Sequence, residues 1–376
     1  MSSPRRILED AQLVVVKIGS TLLTGRKGLN HASLKRLCRQ IASIHALGKS
    51  VLVVSSGAIA EGSFRLGFKK RPKTIHDLQA SAAVGQIGLT AEYQRLLHME
   101  KIQTALILLT HEDLKDRLRY LNARQTIQSL LARNVVPVVN ENDTISTEEI
   151  QFGDNDTLAA RVASLVQADV LVLLTNQPGF LEADPSIDPS AKLVSEAFAL
   201  DDSLERMAGG SSGELGRGGM ITKLKAARFA AHSGCHTVIA DGRHPRTLVD
   251  ILKGQDVGTL LKANIRPLVA RKQWIAGQLN VAGSLVVDQG AEAALKNNGV
   301  SLLAVGISGV DGEFSRGSLV SIVSTEGQRV AQGFTNYDSA EIRQIQGQSS
   351  DEIAGKLGYI NEPEIIHRDN MALVAH

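Results

Sequence analysis

Short, unbroken apolar runs punctuate the chain. Residues 13–16, 51–54 and 170–174 are entirely Val and Leu, and Gly, Asn or Asp closes the runs. Runs of this kind, without the alternation of a half-exposed strand, predict strands covered on both faces. The pattern places strands near 12–17, 50–55, 103–109, 135–139, 169–174 and 236–240. Between them, apolar positions recur at helical spacing over 31–47, 57–66, 76–99, 117–133, 155–167 and 221–233. Strand–helix alternation predicts an α/β fold, a largely parallel sheet flanked by helices on both faces. Ligands of such sheets bind beyond the carboxyl ends of the strands, so the chemistry is expected just after each strand.

The alternation stops near residue 261. A basic connector follows, with Lys262, Arg266, Arg271 and Lys272, and then the texture changes. Over 283–336, glycines at 283, 299, 306, 309, 312, 317 and 327 break the chain into short strands, with one helix near 289–297. This predicts a second, small β-rich domain. Hydrophobic residues at 43% and charged residues at 21% are globular values, which argues against long disorder. A net charge of +2 advertises neither a nucleic acid nor a membrane. No apolar run approaches the ~18 residues of a membrane span, and the N-terminus lacks the apolar core of a secretory signal. Two cysteines, Cys38 and Cys235, exclude a disulfide scaffold and suit a reducing, cytoplasmic setting.

Two segments imitate known sites. Gly48-Lys49-Ser50 resembles the end of a P-loop, but it precedes a strand, and Ser43 stands where the first glycine belongs. His232, Cys235 and His236 make at most three ligands of a metal site that needs a fourth, and no metal ligand set is assigned. Four other segments lie where contacts are expected. Lys17 ends the first strand and Gly19 follows, which suits phosphate but equally a solvated strand-end lysine. Ser56 and Gly57 open a helix, where N–H groups attract anions and a Ser also serves as N-cap. Asn140 to Asp143 and 153–156 crowd four acids and three amides into one region, enough to hold an ammonium group or to orient a lysine, besides forming Asx turns. The fourth segment, 209–223, places six glycines before a helix with Lys223 in its first turn, a phosphate cradle.

Several motifs together resemble one family. VVKIGSTLLTG at 15–25, SSGAIA at 55–60, LNAR at 121–124, VPVVNEND at 136–143, GDND at 153–156 and GGMxTK at 218–223 are similar to the glutamate 5-kinases of the amino-acid kinase fold. VDQGA at 287–291, GVSLL at 299–303, FSRG at 314–317 and HRDNM at 367–371 resemble the PUA domain and C-terminal end of that family. The resemblance implies a kinase domain at 1–262, a linker at 263–275, a PUA domain at 276–358 and a tail at 359–376. It implies transfer of phosphate from ATP, with Mg²⁺, to the γ-carboxylate of L-glutamate, the first step of proline synthesis. It assigns Lys17, Lys223 and Asp156 to catalysis, with Asp156 organising the lysines. Glutamate is assigned to Ser56, Gly57, Asp143 and Asn155. ATP is assigned to Lys17, Gly19, Thr175, Asn176, Arg217, Gly218, Gly219, Met220, Ile221, Thr222 and Lys223. Feedback inhibition by proline and a homo-oligomer, dimer or tetramer, are implied as well. The chain departs from the family at Asn176, where Asp is usual, at Arg217, usually a small hydroxyl residue, and at 178–181, usually Lys-Gly-Leu-Tyr. These departures bear on nucleotide contacts.

Other amino-acid kinases, such as acetylglutamate and aspartate kinases, fit the PUA-like tail and the GDND segment less well. RNA is an unfavourable partner for the second domain. Residues 276–358 hold five basic against nine acidic side chains, a net of −4, the wrong sign for a phosphate backbone.

Overall fold

The computed structural model describes residues 5–25, 27–145, 155–183, 185, 188–208, 219–264, 269, 272, 275, 276, 278 and 280–374. The chain divides into two compact units. One takes in Met1–Lys115 and Asn122–Pro267, the other Asp116–Leu121 and Leu268–His376.

Among the described residues, the main sheet of the first unit has eight strands: β1 (Leu13–Ile18), β2 (Ser50–Val54), β3 (Thr104–Leu109), β4 (Val136–Glu141), β5 (Val170–Thr175), β6 (Glu196–Phe198), β7 (His236–Asp241) and β8 (Thr259–Lys262). Their order across the sheet is β3-β4-β2-β1-β5-β7-β8-β6. Every neighbouring pair runs parallel except β8 with β7, which is antiparallel. The Val/Leu runs of β1, β2 and β5 are buried apart from the half-buried Leu13, as their lack of alternation predicts. β6 and β8 were not foreseen. They have three and four residues, too few to carry a periodic signal.

The helices that position the site are α1 (His31–Ala46), α2 (Ala58–Arg65), α3 (Ile75–Met99), α4 (Arg117–Leu131), α5 (Asp156–Val166) and α6 (Met220–His232). α2 and α3 pack unusually closely through glycines. A Cβ on Gly62 would lie 1.7 Å from the Ser81 carbonyl oxygen, and one on Gly85 would lie 1.8 Å from that of Ala58. Only a residue without a side chain fits at either contact. Arg5 closes the far edge of the sheet. Its guanidinium donates to the backbone oxygens of Ser195, Gln255, Val257 and Gly258. Among the described residues, no helix is long and apolar enough to cross a membrane.

The second unit holds a five-stranded sheet of β9 (Ser284–Val287), β10 (Ile307–Asp311), β11 (Leu319–Ser324), β12 (Arg329–Phe334) and β13 (Met371–Leu373), in the order β10-β9-β11-β12-β13. Its helix at Gln289–Asn298 lies where the sequence places one. The stretch 359–376, expected as a separate tail, is part of this unit. Ile365, Ile366 and Met371 are buried in its core, and Met371–Leu373 pairs with β12. The reason is its apolar content at 365–366 and 371–373, which has a sheet edge to cover. The expected linker falls largely outside the described residues.

Candidate active site

β1 and β5 are neighbours, and the chain leaves β1 towards β2 on one side but leaves β5 towards β6 on the other. That is a topological switch point, and the carboxyl ends of the strands open there. Four loops and two helix starts meet at this edge: the turns after β1, β2, β4 and β5, and the beginnings of α5 and α6.

Asp156 opens α5 and is fully buried. Lys17 reaches it from the end of β1, Nζ to Oδ1 at 2.6 Å, and Lys223 from the first turn of α6, Nζ to Oδ2 at 2.9 Å. The single hydroxyl hydrogen of Thr222 is shared between the Gly219 carbonyl at 2.7 Å and Asp156 Oδ2 at 3.1 Å. Lys17 is 5% and Lys223 6% exposed, so these charges meet in a desolvated pocket. Burial alone pushes the Asp156 carboxyl up. The two lysines outweigh it and hold the group down at about 2. The carboxylate therefore stays ionised across the physiological range and fixes both ammonium groups in one place.

Beside this cluster lies a cavity of about 240 Å³, lined by Thr175, Asn176, Phe180, Met207, Gly219, Met220 and Lys223 among others. Thr175, Asn176, Gly219, Met220 and Lys223, among the residues that the resemblance assigns to ATP, line it. Gly19 stands against the lysine cluster, its Cβ position 3.7 Å from Lys17 Nζ. Ile221 does not line the cavity and is 42% exposed, since its place on α6 turns it away from the edge. Arg217 and Gly218 lie outside the described residues, as does most of the glycine-rich segment and the stretch 146–154.

On the other side of β1, the turn after β2 holds Ser56 and Gly57. Gly57 has φ +102°, a conformation that a side chain would strain, and it starts α2. Asn155 reaches this turn and donates its amide to the Ser55 carbonyl at 2.6 Å. It also donates to Asn140 Oδ1 at 2.9 Å. Asn140 in turn donates to Gln86 Oε1 on α3 at 2.7 Å. Asp143 follows β4 and is half-buried. Sequence reasoning missed Gln86 and its neighbour Tyr93, whose hydroxyl lies 3.1 Å from Ser55 Oγ. A glutamine inside a long helix gives no local signal.

The two imitations resolve as structural. Lys49 donates to the backbone oxygens of Glu9 and Ala11. His236 Nδ1 accepts from the Ala263 amide, and Cys235 is buried.

A parallel-sheet edge with two lysines clamped by a carboxylate beside a cavity is the equipment of a phosphoryl-transfer enzyme acting on small molecules. The model of the amino acid kinase family matches residues 12–241, and that of the PUA domain matches 283–357. The chain belongs to the amino acid kinase family. Within it, the similarity is to glutamate 5-kinases over the whole length. The glutamate 5-kinase of Nitrosospira multiformis is 52% identical, covering 98% of this chain and 99% of that one. Those of Thioalkalivibrio sulfidiphilus and Burkholderia multivorans are 52% and 53% identical, covering 100% and 98% of this chain and the full length of each relative.

Proposed function

We infer that the chain transfers the γ-phosphoryl group of ATP to the γ-carboxylate of L-glutamate, giving L-glutamyl 5-phosphate and ADP, the first step of proline biosynthesis. The observation that carries the mechanism is the Lys17–Asp156–Lys223 cluster at the switch point. A γ-carboxylate is ionised at pH 7, so its attack on phosphorus needs no general base. The obstacle is the meeting of two anions. Lys17 and Lys223, preset by Asp156, neutralise charge on the phosphates as the bond to the leaving ADP oxygen breaks.

Among the described residues, no group of three His, Cys, Asp or Glu side chains is placed to hold a metal ion, and Asp156 is taken up by the lysines. This donor set suits a Mg²⁺ that arrives on the nucleotide phosphates, where it would supply further positive charge. Ser56, Gly57, Asp143 and Asn155 form the glutamate subsite. Thr175, Asn176 and the start of α6 take the nucleotide.

A coupled ADP-release assay tests this reading. Glutamate should be the acceptor, with N-acetylglutamate and aspartate as poor competitors. Lys17→Ala and Lys223→Ala should each lower kcat by roughly 10²–10³, and near-normal turnover in either would remove that lysine from the mechanism. Proline shares glutamate's α-ammonium and α-carboxylate but has no γ-carboxylate, so the same subsite would hold it unreactively. Inhibition that saturating glutamate fails to overcome would point instead to a separate site acting between subunits of a homo-oligomer.

A further inference from the structure

Asn155 occupies the N-cap position of α5, yet its side chain makes no capping hydrogen bond. An N-cap Asn ordinarily spends its Oδ1 on the first turn of its helix. Here the amide is drawn elsewhere, and the polar groups around it fix its direction. The Ser55 carbonyl oxygen can only accept, so the atom 2.6 Å from it must be Asn155 Nδ2. The second hydrogen of Nδ2 goes to Asn140 Oδ1. Asn140 is held that way round because its own Nδ2 donates to Gln86 Oε1 at 2.7 Å. Gln86 is held because its Nε2 donates to Thr90 Oγ1 at 3.0 Å, and the Thr90 hydroxyl is committed to the Gln86 carbonyl at 2.8 Å. The relay therefore has one polarity, running from a backbone carbonyl of α3 to a backbone carbonyl of the substrate turn.

Tyr93 sits on the same face of α3. Its buried hydroxyl braces Ser55 Oγ, which donates to the Ser56 carbonyl at 3.2 Å. Gln86, Asn140, Asn155 and Ser55 are each at most 9% exposed, so water does not compete for these bonds.

We propose that Gln86 is a positioning residue for the amino-acid substrate: through Asn140 it locks the Asn155 amide so that Oδ1, and not Nδ2, meets the ligand. The proposal rests on the placing of Asn155 in the glutamate subsite. An oriented amide oxygen selects a donor, and the donor that L-glutamate offers is its α-ammonium. The relay would thus make an ammonium a requirement for tight binding and turn away a dicarboxylate of equal length.

Glutarate, which lacks only the α-ammonium, is the matched probe. In the full-length enzyme, Gln86→Met removes the acceptor that orients Asn140. The glutamate KM should rise about tenfold, a charge-assisted hydrogen bond's worth. The ATP KM should move less than twofold, and kcat should fall less than KM rises. The Ki of glutarate as a competitor should stay within twofold, so the preference for glutamate shrinks by about the same tenfold. Gln86→Glu keeps an acceptor facing Asn140 and should restore the glutamate KM to within about threefold. If Gln86→Met does not fold, Thr90→Val removes the other anchor and should shift the glutamate KM about threefold in the same direction. Equal losses for glutamate and glutarate, or an unchanged glutamate KM in the folded variant, would overturn the relay. Wild-type enzyme inert toward glutamate would instead overturn the activity it serves.

Discussion

At the residue scale, Asp156 has the largest consequences. Its carboxyl is held at about 2 in the folded chain against about 3.9 for a free Asp. A depressed carboxyl contributes stability that is present above the unfolded value and is lost as pH falls through the folded one. The wild-type melting temperature should therefore carry a component that declines between about pH 4 and pH 2. Asp156→Asn should lack that component. It should also be less stable at pH 7 by about 3–5 kcal/mol, because two buried lysines lose the carboxylate they share. ATP phosphates would restore an anion to those lysines, so ATP should raise the melting temperature of the variant more than that of the wild type. Thermal melts from pH 7 to pH 2.5, with and without ATP, check all three. An ATP-induced shift equal to the wild type's would show that the lysines do not reach the nucleotide.

At the element scale, α2 and α3 behave as one block, since Gly62 and Gly85 bring their backbones together. α2 begins at the Ser56–Gly57 turn, and α3 carries Gln86 and Tyr93, so the spacing of the two helices sets the geometry of that turn. Gly85→Ala forces a Cβ into the Ala58 carbonyl and should destabilise the chain by about 1–3 kcal/mol. Any folded fraction should show a raised glutamate KM, read by steady-state kinetics against an ATP KM that moves less. Gly355→Ala, in a helix where nothing stands within 4 Å of the new Cβ, should be neutral or slightly stabilising.

The same block marks where sequence reading stops. β1, β2 and β5 were legible because a strand buried on both faces must be apolar throughout. Lys223 stood out in the first turn of a helix behind six glycines, whereas Lys17 suited a solvated strand-end lysine as well, and the part given to Asp156 came from the family resemblance. Gln86 was not legible, because its partner Asn140 lies 54 residues away and nothing in the local periodicity connects them. The short β6 and β8 were missed for a related reason. Three or four residues become a strand only when a neighbouring edge supplies the hydrogen bonds.

At the scale of the whole molecule, each unit has its own hydrophobic core, one running from Leu8 to Leu260 in sequence and the other from Leu285 to Met371. A chain ending at residue 272 should therefore retain the eight-stranded sheet and phosphorylate glutamate, read by circular dichroism and ADP release. Asp116–Leu121, which takes in the start of α4, groups with the second unit, so this is the segment expected to lose order in the shortened chain. Insolubility, or loss of all turnover, would show that the first unit does not stand alone.

The clamp made by Arg5 has a consequence for synthesis. Arg5 is synthesised well before its partners: the carbonyls it binds belong to Ser195 and to residues about 250 positions later. At ~5–20 residues per second, it waits roughly 12–50 s for them. Over that interval β1 has been synthesised, while β8, next to the outer strand of the sheet, has not. The β6–β8 edge closes late, and the interval before it closes is when a chaperone would find the chain.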